Sequence, residues 1–263
     1  MDTSSTPGRT VHVNGMEMYY EVRGRGEPLV LLHGGGGVGA NWGLIFEEPP
    51  EGFQLIVPDM RGHGRSTNPS KEFTFRQLAL DVFALLDHLG VGRFKAVGMS
   101  MGAKTLLHMA TGQPARAEAL VLVSAAPYFP EQARALMRQF GAAEHTEAEW
   151  RQMREWHKHG DEQIRALWGL GNALKDSYTD MNFTPPYLST ITARTLIVHG
   201  DRDPFYPVRL ATEMYEAIPR SYLWVIPNGG HGPIFGGMAG HFVETSLAFL
   251  RGEWGDERMK AEG

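Results

Sequence analysis

The chain contains no cysteine among its 263 residues, which excludes disulfide bonds, cysteine nucleophiles and thiolate metal sites. It also has no apolar run near the roughly 18 residues that cross a membrane. The residues from Met1 to Arg9 are polar and lack the apolar stretch of a signal peptide. From these absences we expect a cytoplasmic protein that does not interact with membranes.

Long runs of one charge are absent as well. The 25 basic and 30 acidic side chains give a formal net charge of −5, which disfavours nucleic acid and anionic membrane surfaces as partners. The length suits one large α/β domain with a small insertion.

One stretch, residues 95–104, carries the clearest chemical signal. A short apolar strand is predicted up to Met99, followed by Ser100 and an amphipathic helix. Glycines at positions 98 and 102 make the pattern G-x-S-x-G, in which small residues allow a sharp strand-to-helix turn. This turn would present the Ser100 hydroxyl beside the free N–H groups of the new helix, so Ser100 is the candidate nucleophile.

Strands and helices alternate along residues 1–127 and again along residues 191–263, which is typical of a parallel α/β sheet. Between them, residues 128–190 contain at least three helical patterns and no convincing strand. One of these helices begins with a capping box at Thr146 and Glu149. The chain is therefore predicted to carry a helical insertion.

A nucleophilic serine needs a histidine base. His231 follows the last predicted strand in a glycine-rich loop, where it could reach over the carboxyl edge of the sheet. His33 and His63 are expected to brace their own glycine-rich turns. His157 and His159 lack a third ligand nearby, so no metal site is expected.

Two carboxylates follow the preceding strand and could orient the base. They are Asp201 and Asp203, in the loop His199-Gly200-Asp201-Arg202-Asp203-Pro204. Pro204 fixes the chain just beyond Asp203. With Ser100 and His231, this loop would lie past the carboxyl ends of parallel strands, where open α/β sheets place their sites.

Taken together, the serine turn, the order Ser…Asp…His, the loop His33-Gly34-Gly35-Gly36 and the turn at residues 59–66 resemble the α/β-hydrolase superfamily, in its serine-nucleophile, esterase-like branch. The resemblance implies a mainly parallel eight-stranded sheet flanked by helices, with residues 128–190 as an inserted cap. It implies an oxyanion hole from the N–H groups of Gly35 and Met101. It also favours Asp203 over Asp201 as the acid.

The function that we expect is hydrolysis of short to medium carboxylic esters through an acyl-enzyme, by a carboxylesterase without cofactor or metal. The substrate would be a small ester or related apolar acyl compound, and the sequence leaves the oligomeric state open. The residues predicted to contact the substrate are mainly aromatic, and they are Trp42, Phe205, Tyr206, Phe235, Tyr128 and Trp168.

Two alternatives within this fold remain open. The first is hydrolysis of a carbon–carbon bond, as in the meta-cleavage product hydrolases, which also have Ser-Met at the turn. Here Met99 and Gly232 stand where those enzymes usually carry asparagine and tryptophan. The second is a binding protein that captures a ligand under the cap without catalysis, although such a protein is expected to have lost a member of the triad.

A third alternative comes from Gly34-x-Gly36-x-x-Gly39 and Asp59, which match the spacing of a dinucleotide-binding fingerprint. That fold needs a long helix directly after the last glycine. Residues 41–50 are poorly suited to one, because the segment is short and ends in two prolines. We therefore prefer the hydrolase interpretation.

Overall fold

A computed structural model describes residues 8–254 of the chain. The expectation about Met1 to Arg9 therefore lies almost wholly outside the described residues. No helix among the described residues combines the length and the apolar character needed to cross a lipid bilayer.

Eight strands form one sheet in the order β1-β2-β4-β3-β5-β6-β7-β8. Their bounds are β1 (Arg9–Val13), β2 (Met16–Gly24), β3 (Glu27–Leu32), β4 (Phe53–Pro58), β5 (Phe94–Met99), β6 (Ala117–Val123), β7 (Arg194–Gly200) and β8 (Ser221–Ile226). The strand β2 pairs antiparallel with β1 and β4, and every other neighbouring pair is parallel. The predicted mainly parallel eight-stranded sheet is confirmed.

Helices occupy the connections between most strands. Their bounds are α1 (Phe75–His88), α2 (Met101–Gly112), α3 (Glu131–Met137), α4 (Glu147–Trp156), α5 (Asp161–Leu174), α6 (Pro185–Leu188), α7 (Val208–Ala217) and α8 (Ala239–Arg251). Gly39–Leu44 forms only a 3₁₀ turn, so the dinucleotide-binding alternative lacks the helix that it requires after Gly39.

Both faces of the sheet are buried, which explains the continuous apolar runs of its central strands. In β3, Val30 and Leu32 pack in the cluster that contains the apolar faces of α1, α2 and α7. Leu29 and Leu31 point to the opposite face, where the cluster includes α8. This alternation fixes the register of the central strands, since a slip of one residue would exchange the two faces.

The first hairpin illustrates how local sequence directs the chain. Asn14 and Gly15 link β1 to β2 with φ angles of 44° and 71°. Two successive positive φ angles match a tight turn whose twist suits a hairpin, and Asn-Gly is the pair that adopts them most readily.

The helices α3, α4, α5 and α6 lie between β6 and β7, within residues 128–190. In α4, the Thr146 side chain accepts a hydrogen bond from the Glu149 N–H, and the Glu149 carboxylate accepts one from the Thr146 N–H. This segment contributes side chains to the cavity above Ser100.

Candidate active site

Ser100 lies at the turn between β5 and α2 with φ 49° and ψ −103°. An L-residue rarely adopts a positive φ, so this turn is strained. A Cβ atom at Gly98 would lie 2.6 Å from the carbonyl carbon of Gly102, and one at Gly102 would lie 2.1 Å from the carbonyl oxygen of Leu32. Position 98 must therefore be small to admit α2, whereas position 102 must be small to let α2 approach β3.

The structure brings three predicted side chains into one hydrogen-bonded chain. Ser100 Oγ lies 2.8 Å from His231 Nε2. On the other side of the ring, His231 Nδ1 lies 2.8 Å from Asp203 Oδ2. If Nδ1–H donates to the carboxylate, Nε2 is free to accept the serine proton, which is the arrangement that general-base activation of a hydroxyl requires.

Gly200, at the end of β7, permits this meeting of loops. A Cβ atom there would lie 2.2 Å from the carbonyl oxygen of Gly229 and 2.4 Å from that of Gly230. The loop that carries His231 therefore packs directly against the loop that carries Asp203. A hydrogen bond from the Arg202 N–H to the Gly229 carbonyl oxygen, at 2.8 Å, joins the two loops.

Asp203 is buried, and both of its carboxylate oxygens are hydrogen-bonded. Its Oδ1 accepts hydrogen bonds from the N–H groups of Phe205 at 2.8 Å and Tyr206 at 3.1 Å. Burial alone would raise the pKa of Asp203, but His231 and the two N–H groups outweigh burial, and the pKa lies below its usual value. Asp201 is exposed on the same loop, with its carboxylate 3.9 Å from Arg202 Nε.

Gly35 and Met101, whose backbone N–H groups are the predicted oxyanion donors, line the same cavity as Ser100. Met101 is the first residue of α2, so its N–H has no acceptor within the helix. Among the described residues, neither it nor the Gly35 N–H takes part in a hydrogen bond outside the helices and strands. The two groups are therefore available to an oxygen atom beside Ser100, and the helix dipole favours negative charge there.

Three buried histidines hold the loop that carries Gly35. His33 Nε2 accepts a hydrogen bond from the Met60 N–H, and its Nδ1 lies 2.8 Å from the Gly34 carbonyl oxygen. His63 Nε2 accepts one from the Gly36 N–H at 3.2 Å. These contacts agree with the bracing role expected of His33 and His63.

His157, at the end of α4, has a positioning role that sequence reasoning missed. Its Nδ1 accepts a hydrogen bond from the Gly64 N–H at 2.8 Å, and its Nε2 lies 3.1 Å from the Gly36 carbonyl oxygen. The residue thus ties the helical segment to the glycine-rich loop. Burial lowers the pKa values of His33, to about 4, and of His63 and His157.

A cavity of about 480 Å³ opens at Ser100 and His231. Its walls are mostly aromatic and aliphatic. Three of the predicted substrate-contacting residues line it, namely Phe205, Tyr206 and Trp168. The rings of Phe205 and Tyr206 also pack against the His231 ring, with centroid-to-centroid distances of 4.9 and 5.5 Å respectively.

A second cavity of about 480 Å³ adjoins the first and shares residues 34–36, Met99 and Trp168 with it. Two more of the residues predicted to contact the substrate, Trp42 and Phe235, line this second cavity and not the one at Ser100.

Tyr128 is placed differently from the other five residues predicted to contact the substrate. Its side chain does not line either of these two cavities, because its hydroxyl donates to the Glu213 carboxylate at 3.0 Å. The backbone of Tyr128 forms a bridge with Asn182 instead, at the base of the helical segment. An aromatic residue near the start of an insertion can equally well fasten it to the core.

Lys104 is a charged residue of the cavity wall that sequence reasoning missed. It lies on α2 and is buried, and its Nζ donates a hydrogen bond to the Tyr206 hydroxyl at 2.9 Å. A signal was available, since a lysine in the first turn opposes the helix dipole and here stands among small and apolar residues of a buried helix.

Comparison with known proteins agrees with this architecture. A family model described as the alpha/beta hydrolase fold matches residues 27–156. A 2-hydroxy-6-oxo-6-(2'-aminophenyl)hexa-2,4-dienoic acid hydrolase from Metapseudomonas resinovorans is 26% identical, over 92% of this chain and 90% of the relative.

An ester-cleaving relative is similar over a comparable length. A pimeloyl-acyl-carrier-protein methyl ester esterase from Nitrosomonas europaea is 26% identical, over 82% of this chain and 93% of its own. Among solved structures, a meta-cleavage product hydrolase superposes with a TM-score of 0.78 at 20% identity, covering 93% of this chain and 98% of the other. At that identity the superposition supports the fold alone.

Proposed function

We propose, from the premise that this chain is an α/β-hydrolase superfamily protein, that it is a serine hydrolase which cleaves short to medium carboxylic esters. Ser100 is the nucleophile, His231 the base and acid, and Asp203 the group that orients His231. The N–H groups of Gly35 and Met101 form the oxyanion hole. The observation that carries the proposal is the pair of 2.8 Å contacts from His231 to Ser100 and Asp203.

The first half of the reaction forms an acyl-enzyme. Ser100 Oγ attacks the ester carbonyl carbon while His231 Nε2 takes the hydroxyl proton. The carbonyl oxygen becomes negatively charged, and the two N–H groups stabilise it, an effect worth about 3–4 kcal/mol for one donor in comparable sites. The carbon–oxygen bond to the alcohol then breaks, and His231 gives its proton to the departing alkoxide.

In the second half, water reverses the sequence. His231 takes a proton from a water molecule that attacks the acyl carbon, and returns it to Ser100 Oγ as the carboxylic acid leaves. Asp203 stays ionised throughout, because its pKa lies below the usual range. Its charge stabilises the imidazolium that exists twice in each turnover.

The two adjoining cavities suit an ester, which has a substituent on each side of its carbonyl group. We propose a small-molecule ester or related apolar acyl compound as the partner, with no cofactor.

A fluorophosphonate probe tests the proposal directly. We expect covalent labelling of Ser100, identified by peptide mass spectrometry, and loss of labelling in Ser100→Ala. That variant should lose hydrolysis of p-nitrophenyl butyrate but remain about 10³–10⁴-fold faster than water, because the oxyanion donors persist. A variant that keeps a tenth of the wild-type kcat would contradict Ser100 as nucleophile.

Ser124→Ala is the matched control. Ser124 follows the neighbouring strand β6, also has a positive φ of 50°, and is buried without a hydrogen-bond partner for its Oγ among the described residues. Its loss should leave labelling and turnover unchanged. Failure of wild-type protein to react with the probe or with esters would instead support a ligand-binding protein.

Hydrolysis of a carbon–carbon bond is the second candidate. It is favoured by the similarity to the dienoic acid hydrolase across 92% of this chain. The comparison to make is p-nitrophenyl butyrate against a 2-hydroxy-6-oxo-dienoate. Much faster turnover of the dienoate would overturn the choice of ester hydrolysis.

A further inference from the structure

Lys104 occupies an unusual position for a charged side chain. It lies in the first turn of α2, four residues after Ser100, and its backbone N–H donates to the Ser100 carbonyl oxygen at 3.0 Å. The residue is 3% exposed, yet it lines the cavity that opens at Ser100. A lysine is almost never this buried unless an acid pairs with it.

Asp203 is near enough for its charge to act on Lys104, but it pairs with His231 and not with this ammonium. Lys104 Nζ donates to the neutral Tyr206 hydroxyl at 2.9 Å. It also lies 4.7, 5.6 and 5.7 Å from the ring centroids of Tyr206, Phe75 and Phe129. Among the described residues no carboxylate lies within 4.0 Å of this ammonium, and an ammonium has three N–H donors to satisfy.

Among the described residues that line the cavity, Lys104 is the only lysine or arginine. The other described residues that line it include no aspartate, glutamate or arginine. Arg134 is also buried in the helical segment, but its guanidinium bonds to the carbonyl oxygens of Phe129, Lys175 and Ser177. Arg138 and Arg154 pair with Glu131 and Asp161.

The charge of Lys104 is costly in the free protein. Burial lowers the pKa of Lys104 to about 7, against the opposing effect of nearby Asp203. Asp203 itself pairs with His231, and Tyr206 donates its backbone N–H to Asp203. A methionine would fill a similar space without this cost. The benefit of a lysine at this position is therefore expected to come from binding a ligand.

We infer that Lys104 is an anion-binding residue of this site, and that the substrate is an ester which carries a free carboxylate. The carboxylate would lie against the Lys104 ammonium while the ester carbonyl lies at Ser100. In an apolar cavity such a charge-assisted hydrogen bond is stronger than a neutral one. The inference rests on the proposed function. It narrows the substrate class to half-esters of short dicarboxylic acids and to small hydroxy acids that are acylated on the hydroxyl group, both of which keep a free carboxylate.

Matched substrates test it by turnover. Monomethyl glutarate and methyl valerate have the same acyl chain length and differ by one carboxylate. We expect wild-type protein to prefer the glutarate, and Lys104→Met to lower the ratio of the two kcat/KM values at least about tenfold, mainly through KM. Lys95→Met is the control, because Lys95 is also buried but pairs with Glu27, away from the cavity.

A second pair of substrates locates the carboxylate. Acetoxyacetate carries it on the alcohol side, and ethyl acetate lacks it. If only this pair shows the dependence on Lys104, the ammonium binds the leaving group. If both ratios are unchanged in Lys104→Met, the inference is wrong.

Binding measured without turnover separates this inference from the proposed function. In Ser100→Ala protein, calorimetry should detect monomethyl glutarate, and the added change Lys104→Met should weaken its affinity at least about tenfold. Near pH 8 binding should also take up a fraction of a proton, seen as a dependence of the heat on the buffer, since the carboxylate raises the pKa of Lys104. Equal affinities without proton uptake would overturn the carboxylate site even if ester hydrolysis holds.

Discussion

Ser100 Oγ and His231 Nε2 lie 2.8 Å apart, although 131 positions separate the two residues in the chain. The contact depends on the strand order, in which β6 and β7 lie between β5 and β8. The loop after β8 must therefore cross two strands to reach the serine. The close packing of Gly200 against Gly229 and Gly230 makes this crossing possible.

The first prediction distinguishes the two carboxylates of one loop. Asp203→Asn should lower kcat about 10⁴-fold, because an amide neither holds the correct imidazole tautomer nor stabilises the imidazolium. Asp201→Asn is the matched control, since Asp201 is exposed two residues away. Steady-state kinetics with p-nitrophenyl butyrate measures both. Equal losses in the two variants would refute the assignment of Asp203.

The second prediction concerns acyl chain length. Each buried CH₂ contributes about 0.8 kcal/mol, so kcat/KM should rise about fourfold per carbon until the chain fills the cavity of about 480 Å³. We expect the maximum at about four to eight carbons. A series of p-nitrophenyl esters from acetate to palmitate locates it. A rate that still increases at palmitate would show that the helical segment does not limit the chain.

Much of the fold follows from local patterns in the sequence. The apolar runs at β3 to β8 and the helical spacing at α1 are local, and Asn14-Gly15 specifies its own turn. The residues of the candidate triad could be named because glycine-rich motifs surround Ser100 and His231. The choice of Asp203 over Asp201 needed the family pattern, since both follow the same strand.

The cavity walls could not be predicted in the same way. Whether Tyr128 or Phe140 faces the substrate depends on how the helical segment packs on the sheet, which is a non-local property. In the structure Phe140 lines the cavity and Tyr128 bonds to Glu213. Lys104 was missed for another reason, because hydrophobic periodicity treats a lysine as a solvent-facing residue.

The third prediction is a loss of stability in acid that is due to the buried histidines. Burial lowers the pKa of His33 from 6.5 to about 4, so between these values the unfolded chain binds more protons than the folded one. The free energy of unfolding is therefore highest above pH 6.5. As the pH decreases below this value, His33 alone lowers it by about 1.4 kcal/mol per pH unit, which amounts to about 3 kcal/mol at pH 4. His63 and His157 act in the same direction.

Urea unfolding between pH 4 and pH 7 measures this slope. His33→Asn should be less stable at pH 7, because Met60 loses its hydrogen-bond acceptor, but its stability should depend less steeply on pH. His241→Asn is the control, since His241 is exposed on α8. An identical slope in wild type and His33→Asn would show that His33 does not remain neutral in the folded protein.

The last prediction is that Lys104→Met stabilises the protein. Because burial lowers the pKa of Lys104 from 10.5 to about 7, the unfolded chain binds more protons between these values, and wild-type stability should rise with pH across this range. At pH 7 the buried amine costs about 4 kcal/mol, against which its hydrogen bond to Tyr206 returns about 1 kcal/mol.

Lys104→Met should therefore increase the free energy of unfolding by about 2–4 kcal/mol at pH 7. In this variant the free energy of unfolding should no longer increase between pH 7 and pH 9.5 as it does in the wild type. Lys95→Met should gain nothing, since it breaks an ion pair with Glu27. Denaturant unfolding at pH 7 and pH 9.5 gives both numbers. A destabilised Lys104→Met variant would mean that the aromatic rings and Tyr206 already satisfy the amine, whereas a stabilised one identifies a residue kept at the expense of stability, as expected of a group that serves the ligand.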